Sequence, residues 1–494
     1  MLEKRPRVRT LVRLVTICVL VFGLATFVEA KKPRKKSRKQ KETAAQRIAR
    51  QSREAALRQA ILLSSSQANS VNGAMDVNSG RDFSVPTVAS NAQFISDPEA
   101  QAAPITPNVA LAGQIIISEF RLQGPNGIND EFIEIYNASG ADHTVAAAVT
   151  DGSGDGYAVV PSDGITRCVI PNGTVIPNRG HFLCVNSVGY SLASYPAGNG
   201  TTATGDATYT LDIPINTGIA IFNNSVGGAN FSLPNRLDAV GATTEANVLY
   251  KEGTGYPAIT LIPPSIDMSF YRDTCGKGGS ITALGNCSIE TPKDTDNNAA
   301  DLVFVDTNGN SAGAGQRLGA PGPENLSSPI QRNSSIANQL LDPCVADASP
   351  PNRVRDFTSD PGNNSTFGTI DIRRTFTNNT GGNITRLRFR VVDLTTFPAP
   401  SGIADLRPRT STSVVVTVDR PPCGSGTSNI TVNGTPLEQP PSQPNGGGFN
   451  SSLSAGTITL GTPLANGATI DLRFLLGIQQ TGHFKFYVNV ETLP

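Results

Sequence analysis

Apolar residues along this chain come in runs of about four to eight, set between clusters of Gly, Pro, Asn and Ser. That spacing predicts β-strands joined by turns rather than amphipathic helices. The densest stretch is GQIIISEFRLQGPNGINDEFIEIYN, residues 113–137. Ile115-Ile116-Ile117 leads into Ser118-Glu119-Phe120, and Gly124-Pro125-Asn126-Gly127 is a turn signal. Phe132-Ile133-Glu134-Ile135-Tyr136 is a second β-rich run. The pair predicts an antiparallel hairpin. Apolar residues fall on both faces of each run, so both strands are expected to be central and covered on both sides. Glu119 and Glu134 lie inside them, and a carboxylate buried there must be paired or hydrogen-bonded.

A second set of runs follows towards the C-terminus. Ile370–Phe376 and Leu387–Val392 are predicted strands connected through Asn378-Asn379-Thr380-Gly381-Gly382. Leu387, Phe389 and Val391 alternate with Arg388 and Arg390, the pattern of a strand with one apolar face. Ser413–Val418, Ile470–Leu475 and Phe484–Val490 are further strands, and 421–450 is a Pro/Gly/Ser-rich loop.

Composition agrees with this pattern: 48 Gly, 35 Pro, 3 Met and no Trp in 494 residues suit strands with long loops. The length accommodates two or three domains. Residues 1–30 have export-signal form, with Lys4, Arg5, Arg7, Arg9 and Arg13 ahead of an apolar core from Leu14 to Val28 and a cleavage-compatible end at Ala30. An uncleaved membrane anchor is the second reading, because positive charge follows at once. Residues 31–63 are a polybasic segment with a short predicted helix, opened by Lys31, Lys32, Arg34, Lys35, Lys36, Arg38 and Lys39. Residues 64–112 read as a disordered linker. Domains are expected over 113–325 and 344–494, with a second linker at 326–343.

The formal net charge of zero conceals an asymmetry. Residues 31–58 hold twelve Lys/Arg against Glu42 and Glu54, whereas 59–494 hold 23 basic and 36 acidic residues. The arm could contact an anionic membrane surface or polymer. Nucleic acid is the less favoured partner, because no aromatic residues interleave the charges. Cys18 lies in the leader. The other six cysteines allow fifteen pairings, and sequential pairing, Cys168–Cys184, Cys275–Cys287 and Cys344–Cys423, keeps each bridge within one domain. An even count in an exported chain favours disulfides, and no C-x-x-C is present for zinc or redox chemistry.

The 113–137 stretch resembles the opening of the lamin-tail domain family. The resemblance rests on Glu119 in the first strand and on Asp130, Glu131, Phe132, Glu134, Tyr136 and Asn137 in the second. It continues through 175–185, 217–222, 237–241, Phe270-Tyr271-Arg272 and 294–301, to about residue 325, as in bacterial lamin-tail-containing exported proteins. It departs at 144–148, where an aromatic is frequent in the family. The resemblance implies an immunoglobulin-like β-sandwich and a role in interaction or attachment rather than catalysis. The fold class expected is therefore all-β: two immunoglobulin-like β-sandwiches in tandem behind a basic arm. The C-terminal half has no named family.

Candidate chemistry is sparse. His143, His181 and His483 are the only histidines, and no metalloprotease, nucleophile-elbow or P-loop motif occurs. Glu119 and Glu134 are read as hydrogen-bond acceptors that fix strand register, ahead of a glycosidase pair. Asp294, Asp296, Asn298 and Asp301 form a candidate calcium loop, weighed against an Asx-turn loop satisfied by its own backbone. No other cofactor is expected. Asp151, Ser153, Asp155 and Gly156 form a similar half-motif, again without a closing Glu. Asn-x-Ser/Thr triplets mark polar loops. The expected function is a non-enzymatic exported protein, secreted or at the cell surface or in the periplasm, binding a protein or cell-envelope polymer. The rivals are a secreted metal-dependent hydrolase (nuclease or glycosidase) and an anionic-polymer or DNA binder using the arm.

Overall fold

The computed structural model describes residues 109–493 apart from 153, 199–200, 261–265, 275–290, 310–314 and 439–442, with backbone only at 196–198 and 201. The leader, the polybasic segment, residues 64–108 and the Cys275–Cys287 pair lie outside the described residues. What is described is almost entirely strand and turn, with one four-residue α-helix, α1 (Asn298–Asp301), and five three-residue 3-10 turns. Among the described residues no helix is long and apolar enough to cross a membrane.

The first half, to residue 325, contains β1 (Ile115–Arg121), β2 (Phe132–Asn137), β3 (His143–Thr144), β4 (Gly156–Pro161), β5 (Cys168–Pro171), β6 (Val175–Ile176) and β7 (His181–Asn186). It continues through β8 (Pro196–Gly198), β9 (Thr201–Thr202), β10 (Ala207–Tyr209), β11 (Ile219–Phe222), β12 (Arg236–Val240), β13 (Met268–Arg272), β14 (Leu302–Asp306) and β15 (Arg317–Leu318). A seven-stranded sheet, β10-β7-β2-β1-β13-β14-β15, faces a four-stranded sheet, β12-β11-β4-β5, across a shared core. The β1–β2 hairpin is antiparallel and sits at the centre of the larger sheet. All thirteen of its strand residues are buried, so both faces are covered. The Cys168–Cys184 disulfide joins β5 to β7 and so ties one sheet to the other through the core.

The second half holds β16 (Ile330–Gln331), β17 (Ile336–Leu340), β18 (Arg353–Asp356), β19 (Thr369–Asn378), β20 (Arg386–Leu394), β21 (Asp405–Arg409) and β22 (Val414–Asp419). Then come β23 (Thr427–Gly434), β24 (Ser452–Ser454), β25 (Thr469–Gln480) and β26 (Phe486–Leu493). A four-stranded sheet, β16-β26-β20-β24, packs on a sheet ordered β17-β19-β25-β23-β22, with β18 added to β19 and β21 to β25. β19 and β20, consecutive in the chain, enter opposite sheets, and each contributes an apolar face to the same core. The Cys344–Cys423 disulfide is formed on the surface side, at the turn between β22 and β23.

The expected linker at 326–343 is instead part of the fold. β16 pairs with β26, and β17 pairs with β19 along five residues. Ile330 and Ile336 are buried; two short strands flanked by Ser and Asn resemble a spacer until their partners are known. Ala110, within the other expected linker, is also buried, and its N–H donates to the Tyr157 hydroxyl.

Candidate functional site

The outer face of the β1–β2 hairpin decides what lies between the halves. Ile115, Ile117, Phe120, Ile133 and Ile135 enter the first core. Between Ile117 and Glu119 the register with β2 shifts, a β-bulge at Ser118. The extra residue turns Glu119 away from the core and sets it directly opposite Glu134. Two carboxylates thus stand side by side on one face.

The second half covers that face with β20 and β26. Leu387, Phe389 and Val391 fill its core, so the alternate residues Arg386, Arg388 and Arg390 point the other way. Arg388 is wholly buried and Arg390 nearly so. Arg388 pairs with Glu324 and, at 2.6 Å, with Glu491; Arg390 reaches Glu324 at 3.0 Å and Glu491 at 2.8 Å. Arg386 pairs with Glu438. Glu119 accepts from the Gly322 N–H at 3.0 Å and from Asn450 Nδ2 at 2.9 Å. Glu134 accepts from Ser118 Oγ at 2.5 Å and the Glu324 N–H at 2.7 Å. Gly322 lets the chain pass close to the arginine, since a Cβ there would stand 2.3 Å from Arg390 Nη1 and force it to move. Tyr195 and Ser452 add a hydroxyl contact of 2.9 Å, and residues 318–320 run beside Phe449 with backbone hydrogen bonds. The joint is therefore a polar interior between two apolar cores.

A cavity of about 80 Å³ opens within the joint, lined among others by Ser118, Glu134, His181, Glu324 and Arg390. His181, from β7, is 8 % exposed. Its Nε2 lies 3.3 Å from Glu324 Oε2 and 3.7 Å from Glu134 Oε1, and its Nδ1 has no hydrogen-bond partner. Burial, reinforced by Arg390 and Arg388, lowers the imidazole pKa to about 3 and keeps it neutral. Burial and then the neighbouring Glu119 push the Glu134 carboxyl well above its ordinary value, and burial raises Glu119 as well. Glu491 moves the other way: Arg388 and Arg390 outweigh its burial and hold it down. One joint thus contains both protonatable and firmly ionised acids.

A second acid cluster lies within the first half, around Arg272 of β13. Its guanidinium is wholly buried and contacts Asp238 at 2.5 Å, Asp294 at 3.2 Å and Asp301 at 3.6 Å. Arg272 Nε donates to the Ile117 carbonyl, and Asp238 accepts the Ile117 N–H, so the cluster also clamps β1. Glu252, also at its edge, is raised by burial and by Asp238.

The candidate calcium residues end up in this region without converging. Asp294 is drawn to Arg272. Asn298 is buried and turned towards β12, accepting from the Gly241 and Glu252 N–H groups and donating to the Ala239 carbonyl. Asp301 accepts from the Thr295 N–H and hydroxyl and from the Asn297 N–H. Asp296 is exposed, at a left-handed φ of 54°. Arginine and backbone donors satisfy these oxygens, as an Asx-type loop would. Asp155 similarly accepts from the Asp151 and Gly152 N–H groups.

The remaining signature residues hold the hairpin. Asp130 pairs with buried Arg121 and accepts from the Asn126 and Ser191 N–H groups. Glu131 accepts from Asn186 Nδ2 and the Ile213 N–H, with burial raising it to about 7. Asn137 Nδ2 donates to three carbonyls, those of Ala141, Ile176 and Pro177. His143 contacts the Tyr157 hydroxyl at 3.0 Å. Residue patterns did not single out His181, Glu324, Arg388, Arg390 or Glu491 as one site. The available signals were the carboxylates inside doubly covered strands and the arginines alternating along β20.

No family model, curated protein or solved structure matches the chain.

Proposed function

We propose that this chain is a non-enzymatic exported protein of the cell envelope or surface, acting as a binding or adhesion module for a protein or envelope polymer. In this reading the halves are a lamin-tail-like and an immunoglobulin-like β-sandwich, fused through the charged joint into one stiff platform. The observation that carries it is the free edge of β22. Val414–Val418 reads VVVTV and forms the outermost strand of its sheet, pairing among the described residues with β23 alone. Val416 and Val418 pack inward, whereas Val415 is 71 % exposed and Thr417 is exposed beside it. A β-branched, uncharged edge is a liability unless a partner strand completes it, and strand addition is a common way to bind an extended segment. The Cys344–Cys423 bridge pins the turn end of this ribbon. Two disulfides support an oxidising, exported compartment.

The test is co-sedimentation of the purified mature chain with envelope fragments of its own cell, with its N-terminus sequenced from the native fraction. The reading expects sedimentation that survives EDTA and is lost in the V415K/T417K variant, which keeps the wild-type melting temperature. Unchanged sedimentation of that variant would sink strand addition. Loss on deleting 31–58, or steep loss with salt, would favour the polymer-binding arm. Hydrolysis abolished by EDTA would favour the hydrolase.

A further inference from the structure

Two carboxylate oxygens and an imidazole nitrogen converge in the joint: Glu134 Oε1, Glu324 Oε2 and His181 Nε2 lie within 4.8 Å of one another. They come from β2, β7 and the segment after β15, so the fold and not local sequence assembles them. The two separations from Nε2, 3.3 and 3.7 Å, bracket the roughly 3.4 Å edge of a tetrahedron of ligands about 2.1 Å from a metal. The other oxygen of each carboxylate is held by the protein. Glu134 Oε2 accepts the Glu324 N–H at 2.7 Å, and Glu324 Oε1 is taken by Arg388 and Arg390. Such outer contacts orient a carboxylate's remaining oxygen towards an ion; Glu134 Oε1 also accepts from the Ser118 hydroxyl at 2.5 Å.

His181 supplies an independent observation. It is more than nine-tenths buried, and the same nitrogen, Nε2, faces both acids. A single ring nitrogen cannot donate one hydrogen to two carboxyl groups at once. A cation at the meeting point satisfies all three donors. The 80 Å³ cavity beside them has room for an ion and several waters, so a fourth position would stay open. Glu324, Glu438 and Glu491 pair with Arg386, Arg388 and Arg390 in the joint, and Arg179 and Arg272 also line the cavity. At Arg272 a guanidinium occupies the equivalent centre. Here Arg388 and Arg390 contact Glu324 through Oε1, and Oε2 faces His181.

We propose that Glu134, His181 and Glu324 bind a divalent transition-metal ion of the Zn²⁺ class at the joint between the two halves. An imidazole nitrogen beside two carboxylates suits Zn²⁺ or Mn²⁺ and disfavours the all-oxygen cage of Ca²⁺. The ion would bridge hairpin, β7 and the chain leading into the second half, locking the platform. The inference stands independently of the β22 reading.

The test uses the full mature chain, stripped with EDTA, dialysed and titrated calorimetrically with ZnCl₂, MnCl₂ and CaCl₂ in turn. The expected result is one equivalent of Zn²⁺ or Mn²⁺ bound with a Kd of about 10 μM or tighter and no heat with millimolar Ca²⁺. His181→Gln, checked by circular dichroism for an unchanged fold, should weaken that binding at least tenfold. Glu324→Gln should do the same, and Co²⁺ loading should give visible absorption in the wild type that His181→Gln abolishes. Absence of stoichiometric Zn²⁺ or Mn²⁺ binding by the folded chain overturns the proposal, as does binding that His181→Gln leaves unchanged.

Discussion

Two buried acid clusters in this molecule solve the same electrostatic problem differently. Around β13, Arg272 sits in the middle of Asp238, Asp294 and Asp301, so the charge that balances the acids is built into the chain. In the joint, Arg388 and Arg390 bind the flanks of Glu324 and Glu491, and the centre is a neutral histidine beside a cavity. The first arrangement can only hold strands in place: Arg272 also donates to the Ile117 carbonyl and cannot leave. The second leaves acceptor atoms facing one another across open space. Buried acids alone therefore do not define a site; what occupies their midpoint does.

The strongest way to break this contrast is Arg272→Met. It strands the fully buried Asp238 without its partner, and removing one member of a buried pair costs about 3–5 kcal/mol. Urea unfolding at pH 7 should show a loss of that size; a loss below about 1 kcal/mol would mean the cluster is not a staple.

A smaller effect separates the histidine from its neighbours. His181 has a folded-state pKa of about 3, below its ordinary 6.5, so its contribution to stability is present above pH 6.5 and is lost as pH falls towards 3. Glu134, Glu119, Glu324, Glu491, Arg388 and Arg390 face the same space, so variant and wild type, both stripped with EDTA, must be compared at each pH. Relative to His181→Gln, the wild type should lose about 2–3 kcal/mol between pH 7 and 4.5. Parallel curves would place the ring in water.

Glu134→Gln should act in the opposite direction and less strongly at mild pH. Burial and Glu119 raise the Glu134 carboxyl well above 4.5, so its stabilising contribution is full below pH 4.5 and fades as pH rises towards the raised value. The variant keeps an acceptor for the Glu324 N–H and a donor for the Ser118 hydroxyl. It should gain on wild type as pH rises above 4.5, and the gain should keep growing towards pH 7. A variant that loses ground as pH rises would show that Glu134 is ionised and paired. The smallest stability effect is expected for V415K/T417K, within about 0.5 kcal/mol, because those side chains are exposed.

Much of the local structure was legible in residue order. The isoleucine run, the Gly-Pro-Asn-Gly turn and the alternation along β20 correspond to strands and a hairpin in the structure. The alternation of Leu387, Phe389 and Val391 with arginine, however, looks the same whether the arginines meet water or glutamates from another sheet. Only the second half's docking on the hairpin settles that, and it depends on contacts hundreds of residues apart, such as Asn450 to Glu119. The 294–301 spacing was misleading for a related reason. Even intervals suggest convergence, but Asn298 opens α1 and turns towards β12, while Asp294 is captured by Arg272, about twenty residues earlier in the chain. β16 and β17 were missed because two to five residues between Ser and Asn carry little strand signal until β26 and β19 are known to receive them.

The measurement that tests the contrast most directly is an anomalous difference map at the zinc absorption edge, from crystals of the mature chain grown with ZnCl₂. The account predicts one strong peak about 2 Å from Glu134 Oε1, His181 Nε2 and Glu324 Oε2 and none among Asp238, Glu252 and Asp294, where Arg272 stands. A peak beside Arg272, or an empty joint in crystals that bind zinc elsewhere, would contradict it.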